Sequence, residues 1–121
     1  MDLQIINGNF SVCKVRELDA NILNHKYTFV SITDQELSII CETEYVPANT
    51  ITVAHGWSCF RIAEDASFEK YGMIAFLANI IAELKTSILV VGTFDTDYIL
   101  IQNQRFEEAV KALEQNGCRF L

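Results

Sequence analysis

Alternation of apolar and polar residues marks the first half of the chain as strand-forming. Residues 10–15, Phe-Ser-Val-Cys-Lys-Val, alternate with a period of two, the period of a half-buried strand. Tyr27 to Thr33 is rich in β-branched and aromatic side chains, and Leu37-Ser-Ile-Ile-Cys41 follows a short polar turn. Both compositions suit a pleated surface. Residues 57–62, Trp-Ser-Cys-Phe-Arg-Ile, alternate again. The period then changes. Ile74, Leu77, Ala78 and Ile81 fall at i, i+3, i+4 and i+7, and Met73, Ile80 and Leu84 widen the stripe, so an amphipathic helix is predicted there. Two strands, 88–94 and 98–102, flank the turn Asp95-Thr96-Asp97. Phe106, Ala109, Val110 and Leu113 mark a second helix, with Asn103 as its N-cap and Gly117 as its stop. Residues 118–121 form a closing strand. The second half thus reads βαββαβ, the ferredoxin-like order.

The two halves echo each other. Residues 10–15 match 57–62 in aromatic, serine, basic and aliphatic positions at an offset of 47. Asp34-Gln-Glu-Leu-Ser-Ile-Ile40 matches Asp95-Thr-Asp-Tyr-Ile-Leu-Ile101 at an offset of 61. The difference of 14 between these offsets is about the length of one ordinary helix. The second half has such a helix where the first has only 17–26. A duplicated unit with a reduced helix in its first copy accounts for this, although short acidic turns between strands also match by chance. The expected fold class is α+β: two ferredoxin-like units in tandem, 1–55 degenerate and 56–121 complete, packed as one compact body.

Composition narrows the function. Half of the 121 residues are hydrophobic and 21% are charged, the balance of a folded globular chain. Nine Lys plus Arg against 16 Asp plus Glu give a net charge of −7, which argues against nucleic acid or an anionic membrane as partner. Phe10, Phe29 and Phe60 are strand aromatics of the kind that stack RNA bases, but the surrounding basic residues are missing. The N-terminus lacks a charged start followed by an apolar run, so no signal peptide is read there. The most hydrophobic run, 71–84, is too short to span a bilayer and contains Asn79 and Glu83. A cytoplasmic location is expected. Cys13, Cys41, Cys59 and Cys118 show no C-x-x-C spacing and are expected to be reduced, mostly buried thiols.

Little in the chain points to catalysis. His25 and His55 stand alone without metal-ligand spacing. There is no G-x-S-x-G, H-E-x-x-H or phosphate loop. No metal, no cofactor and no enzymatic activity are expected, with a Cys–His pair formed only on folding left open. The turn Thr93-Phe-Asp-Thr-Asp97 is more informative. Two carboxylates and two hydroxyls sit beside Gly92, where backbone can approach closely. Such a turn can accept the hydrogen bonds of an ammonium group. Opposite it in a βαββαβ unit lies the loop Phe68-Glu-Lys-Tyr-Gly-Met73, whose unpaired helix-start N–H groups favour a carboxylate. The competing reading is that Asp95 and Asp97 solvate a hairpin and Gly72 lets the helix pack tightly.

Laid out in this way, the chain resembles the ACT domain, a small ligand-binding regulatory module. It is similar to the paired ACT units of aspartokinase regulatory regions, the arginine-sensing CASTOR proteins and short stand-alone bacterial ACT proteins. The resemblance is carried by Glu36-Leu-Ser-Ile-Ile40, Gly56-Trp57, Phe68, the run Gly72-Met-Ile-Ala-Phe-Leu77 and, above all, Val91-Gly-Thr-Phe-Asp-Thr-Asp-Tyr-Ile-Leu-Ile101. It spans about 3–121. In the stand-alone proteins the last segment carries Ser where this chain has Gly92.

The resemblance implies regulatory binding of an amino acid, without chemistry, at an interface between ACT units. Carried onto this chain, the ligand-binding positions are Phe68, Glu69, Tyr71, Gly72, Met73, Ile74, Gly92, Thr93, Phe94, Asp95 and Asp97. The first copy offers Ser31, Thr33, Asp34 and Glu36, but its reduced helix weakens a second site there. Gly92 removes a hydroxyl, and Lys70 and Tyr71 give a bulky helix entry; both bear on ligand choice. The implied assembly is a homodimer acting allosterically, with an unidentified protein target. The alternative implied by the same fold is a dimerisation or interaction module that no longer binds a ligand.

Overall fold

The strand that opens the chain is longer than its alternating centre. In the computed structural model, which describes residues 1–64 and 71–121, β1 runs over Asp2–Val15. Its middle, Asn7-Gly8-Asn9, has the composition of a hairpin turn. The chain nevertheless stays in the strand, with Gly8 at φ 127, a conformation L side chains rarely adopt. β4 is similarly long, Thr50–Ile62. The chain divides into two compact units, one made of Met1–Asn7 and Ser58–Leu121, the other of Gly8–Trp57.

The first of these units contains α1 (Met73–Ala82), β5 (Ile88–Gly92), β6 (Asp97–Gln102), α2 (Asn103–Gln115) and β7 (Arg119–Phe120) besides its portions of β1 and β4. Its strands lie in the order β7-β1-β4-β6-β5. A simple ferredoxin-like unit would seat the closing strand beside the opening one. Here the first residues of the chain intervene, with β7 parallel to β1 in the register Asp2↔Arg119 and Leu3↔Phe120. Backbone bonds from Arg119 N–H to Met1 O and from Leu121 N–H to Leu3 O, both 2.9 Å, hold that pairing. Met1–Asn7 therefore belongs with the second half of the chain.

The predicted helical stripes bury the faces their periodicity requires. Leu77 and Ile81 of α1 and Ala109 and Leu113 of α2 pack against Phe60, Ile62, Ile99 and Ile101 of the sheet. α2 starts with Gln102 in the cap position, one residue before the expected Asn103, and no side chain caps it. The Asn103 side-chain Oδ1 instead accepts a 2.5 Å bond from the Ser58 hydroxyl. Its end is as expected. Gly117 takes φ 94, Gly117 N–H bonds Glu114 O at 3.1 Å, and Cys118 N–H bonds Leu113 O at 3.0 Å. This pair of bonds closes the last turn through a left-handed glycine.

The second unit has the strand order β2-β3-β1-β4, with β2 at Phe29–Ile32 and β3 at Leu37–Glu42. That is the ferredoxin-like order, in tandem with the first, so the α+β expectation is borne out. Both helices are reduced, not one. Ala20–Asn24 and Thr43–Tyr45 are single 3-10 turns, and the apolar core beneath them is small: Cys13, Val15, Ile22, Ile39 and Cys41. The repeat is also out of step with the sequence match. Thr33 N–H bonds Glu36 O, and Thr93 N–H bonds Thr96 O, so the hairpins superpose at an offset of 60. The match at 61 is one residue too long. Burial agrees, since Ile39 pairs with Ile99 and Cys41 with Ile101, all fully buried. A one-residue slip would turn each of these side chains to the other face.

All four cysteines are free and buried. Burial pushes the Cys59 thiol up to about 12, with Arg61 opposing. Burial, then Cys13 and Glu42, pushes Cys41 up to about 11. Unfolded thiols titrate near 9, so above that pH the unfolded chain loses its protons before the folded one. The stability these thiols contribute is complete below pH 9 and is lost as pH rises towards 12. Urea midpoints should fall between pH 9 and 10.5, and the fall should be shallower in Cys59→Ala.

Candidate functional site

The hairpin between β5 and β6 is built by threonine hydroxyls. The Thr93 hydroxyl donates to Thr96 O at 2.8 Å and accepts from Thr96 N–H at 3.3 Å. The Thr96 hydroxyl then donates to Ile62 O at 2.6 Å, pinning the turn to the end of β4. A side chain at Gly92 would bring its Cβ within 3.2 Å of Asp97 Oδ1. The absence of a side chain at Gly92 thus leaves the Asp97 carboxylate room beside the backbone.

Arg61 stands on β4 next to this turn. Its Nη1 donates to the Tyr98 hydroxyl at 3.1 Å and its Nη2 to Gln4 Oε1 at 2.9 Å. The guanidinium carbon lies 5.9 Å from the centre of the Tyr98 ring, within cation–π range. Two residues past the end of β4, Glu64 accepts a 3.2 Å bond from Asp2 N–H. Gln4, Arg61, Glu64, Thr93, Asp95 and Tyr98 line a cavity of about 410 Å³. Small-molecule pockets run from about 300 to 1,000 Å³. One guanidinium, two side-chain carboxylates and three hydroxyl-bearing side chains share the lining of this space. That is a setting for a zwitterion: Arg binds a carboxylate in a forked geometry, and carboxylates accept from an ammonium.

Of the positions expected from the sequence, Thr93 and Asp95 line this cavity. Gly92, Phe94 and Asp97 share the hairpin without lining it, and Phe94 is 81% exposed. Gly72 occupies the cap position of α1 at φ 83, where it offers no side-chain cap, and its carbonyl accepts from Phe76 N–H at 3.0 Å. Tyr71 is 94% exposed. Met73 and Ile74 pack against the apolar core. Phe68 and Glu69 lie outside the described residues. In the other unit Ser31, Thr33, Asp34 and Glu36 are exposed. The Thr33 hydroxyl donates to Glu36 O at 3.2 Å, as Thr93 does to Thr96.

Gln4, Arg61, Glu64 and Tyr98 were not expected at the site. Arg61 was visible only as the basic member of an alternating strand, and Gln4 becomes its partner only because β1 and β4 are neighbours. Among the described residues no three His, Cys, Asp or Glu side chains gather to hold a metal ion, and no helix is long and apolar enough to cross a membrane.

A family model described as "ACT domain" matches residues 52–115, just over half the chain. The chain belongs to the ACT-domain family. No curated protein matches it in sequence. Among solved structures, this ACT protein is similar to a protein from Agobacterium tumefaciens at 27% identity, with a TM-score of 0.89, covering 99% of this chain and 91% of that chain. It is also similar to a protein of unknown function from Vibrio cholerae, described as a possible transport protein, at 21% identity, TM-score 0.72, covering 92% and 85%. The ligand-free regulatory subunit of aspartate kinase from Thermus thermophilus shares the fold at 10% identity and a TM-score of 0.61, covering 93% and 95%.

The ACT hairpin depends on the Thr96 tie. Thr96→Val removes the only donor that side chain offers to Ile62 O and should destabilise by about 1 kcal/mol. Hydrogen exchange at the Thr93 amide, whose acceptor is Thr96 O, should quicken more than at core amides of β6. Equal exchange in variant and parent would show that the turn is held by its own backbone.

Proposed function

We propose that this ACT protein is an amino-acid-binding regulatory protein without catalysis of its own, and that its ligand enters the cavity between Arg61, Glu64 and Asp95. The observation that carries the reading is that one guanidinium and two side-chain carboxylates line the same cavity of about 410 Å³ beside the ACT hairpin. Arg61, oriented by Tyr98 and Gln4, takes the α-carboxylate. Asp95 and Glu64 take the ammonium, and the excess of negative charge favours neutral and cationic amino acids over acidic ones. Gly92 and the remaining hairpin residues, with the helix entry at Tyr71 to Ile74, shape the ligand's side-chain end. The pairing of aspartate kinase with this fold in a regulatory subunit supports a regulatory role.

Regulation is read as ligand-linked association with a second copy or with a protein target. The uncovered edge strand β5 exposes Val90, and an edge of this kind invites pairing. A ligand binding only the assembled form would stabilise it in proportion to its concentration over its dissociation constant.

A thermal-shift screen of the twenty amino acids tests the reading. At 100 times its dissociation constant the ligand should add about 2.7 kcal/mol. Asp95→Asn should keep the fold, since Asp95 is exposed on the turn, but should lose most of that shift. No shift in the parent by any amino acid, or an equal shift in Asp95→Asn, would overturn it.

A further inference from the structure

The 47-residue offset covers more than the six residues that first reveal it. β1 and β4 correspond along their whole lengths, with Phe10 matching Trp57, Lys14 matching Arg61 and Val15 matching Ile62. Three residues lining the cavity described above, Gln4, Ala63 and Glu64, therefore have counterparts 47 positions away: Ile51, Arg16 and Glu17. Those three, with Asn49 and Thr50, line a cavity of about 530 Å³ in the Gly8–Trp57 unit. Its corner is closed by Asn49 Nδ2, which donates to Glu17 O at 3.3 Å. The position of Asn49 matches that of Asp2, which bonds the Glu64 side chain at the same place in the other unit.

The charges differ between the two cavities. Where the first has Ala63, the second has Arg16, whose guanidinium makes no hydrogen bond or ion pair among the described residues. The turn that pins the first cavity is released in the second. The counterpart of Thr96 is Glu36, and a carboxylate has no hydrogen to donate to the end of the neighbouring strand. The second cavity thus offers one cation, one carboxylate and no further acid, together with the half-exposed side chain of Ile51.

We propose that the cavity at Arg16, Glu17, Asn49, Thr50 and Ile51 is a second ligand site, for a neutral α-amino acid with an apolar side chain. Arg16 receives its carboxylate, Glu17 its ammonium, and Ile51 its side chain. The proposal rests on the reading of the first cavity for the class of ligand, but not for its location. A cationic ligand is disfavoured here because there is no second carboxylate to balance its extra charge.

Backbone amide shifts in two-dimensional nuclear magnetic resonance spectra of the full chain test it, with L-leucine, L-isoleucine and L-valine titrated in turn. At least one should shift the amides of 16, 17 and 49–51. Arg16→Ala, which breaks no contact in the fold, should weaken that response by about tenfold or more, the loss of roughly one charge-assisted contact. Asp95→Asn should leave it unchanged. If none of the three shifts those amides, or if the response persists at equal strength in Arg16→Ala, the second site is overturned. The amides of 61–64 and 93–98 report the first cavity in the same spectra, so failure there is read separately.

Discussion

The position of Asp2 is the constraint on which the complete unit depends. Its carbonyl accepts from Ala63 N–H at 2.9 Å, its N–H donates to Glu64, and its carboxylate pairs with Arg119 at 2.9 Å. The ion pair is exposed and adds little by itself. The backbone bonds do the positioning. They seat the start of β1 between β7 and β4, and with it they bring Gln4 to Arg61. A guanidinium held at one end by Gln4 and at the other by Tyr98 has given up most of its rotamer freedom before a ligand arrives. That lowers the ordering cost of binding. The first residues of the chain thereby line a cavity otherwise built from its second half.

Much of the architecture is legible in the pattern of apolar residues. The stripe through Ile74, Leu77 and Ile81 does bury Leu77 and Ile81 in α1, and Gly117 does end α2. Local turn chemistry is overridden inside β1. Asn7-Gly8-Asn9 has the residues of a turn, yet the strand continues through them and the glycine absorbs the unusual φ. Register is misread for a related reason. Asp34 and Asp95 align by identity, but the hairpins are set by Thr33 and Thr93, whose hydroxyls close the turns. The structural repeat follows the residue that makes the bonds, not the residue that looks alike.

The candidate site was half visible. Thr93 and Asp95 lie two positions apart in sequence and could be found as a polar turn. Arg61 and Gln4 come from strand positions, and Glu64 from just past a strand end, whose meaning depends on which strands are neighbours. A basic residue in an alternating strand reads as the solvated side of a sheet until a tyrosine and a glutamine are seen to hold it. Met73 and Ile74 carry two readings at once. Proximity to the helix entry recommends them for the site, and the amphipathic stripe that predicts the helix packs them, partly buried, against the core.

The two units show what duplication can relax. In the complete unit α1 and α2 cover one face of the sheet, and its buried core includes Phe60, Leu77, Ile81 and Leu113. In the other, two 3-10 turns stand where those helices would be, and one buried cluster is made of Cys13, Val15, Ile22, Ile39 and Cys41. Less apolar burial means less stabilisation from that core, yet the strand order and the threonine-closed hairpin persist. The parts that survive are the ones made of backbone ladders and hydroxyl-to-backbone bonds, which do not need a helix above them. The part that diverges is charge. Lys14 and Arg16 stand where the complete unit has Arg61 and Ala63, and Glu36 stands where it has Thr96. With the ladder conserved and the charges exchanged, the same corner of the fold is presented twice with different electrostatics. A difference of one carboxylate across such a corner is enough to change how well a cationic ligand is tolerated there relative to a neutral one.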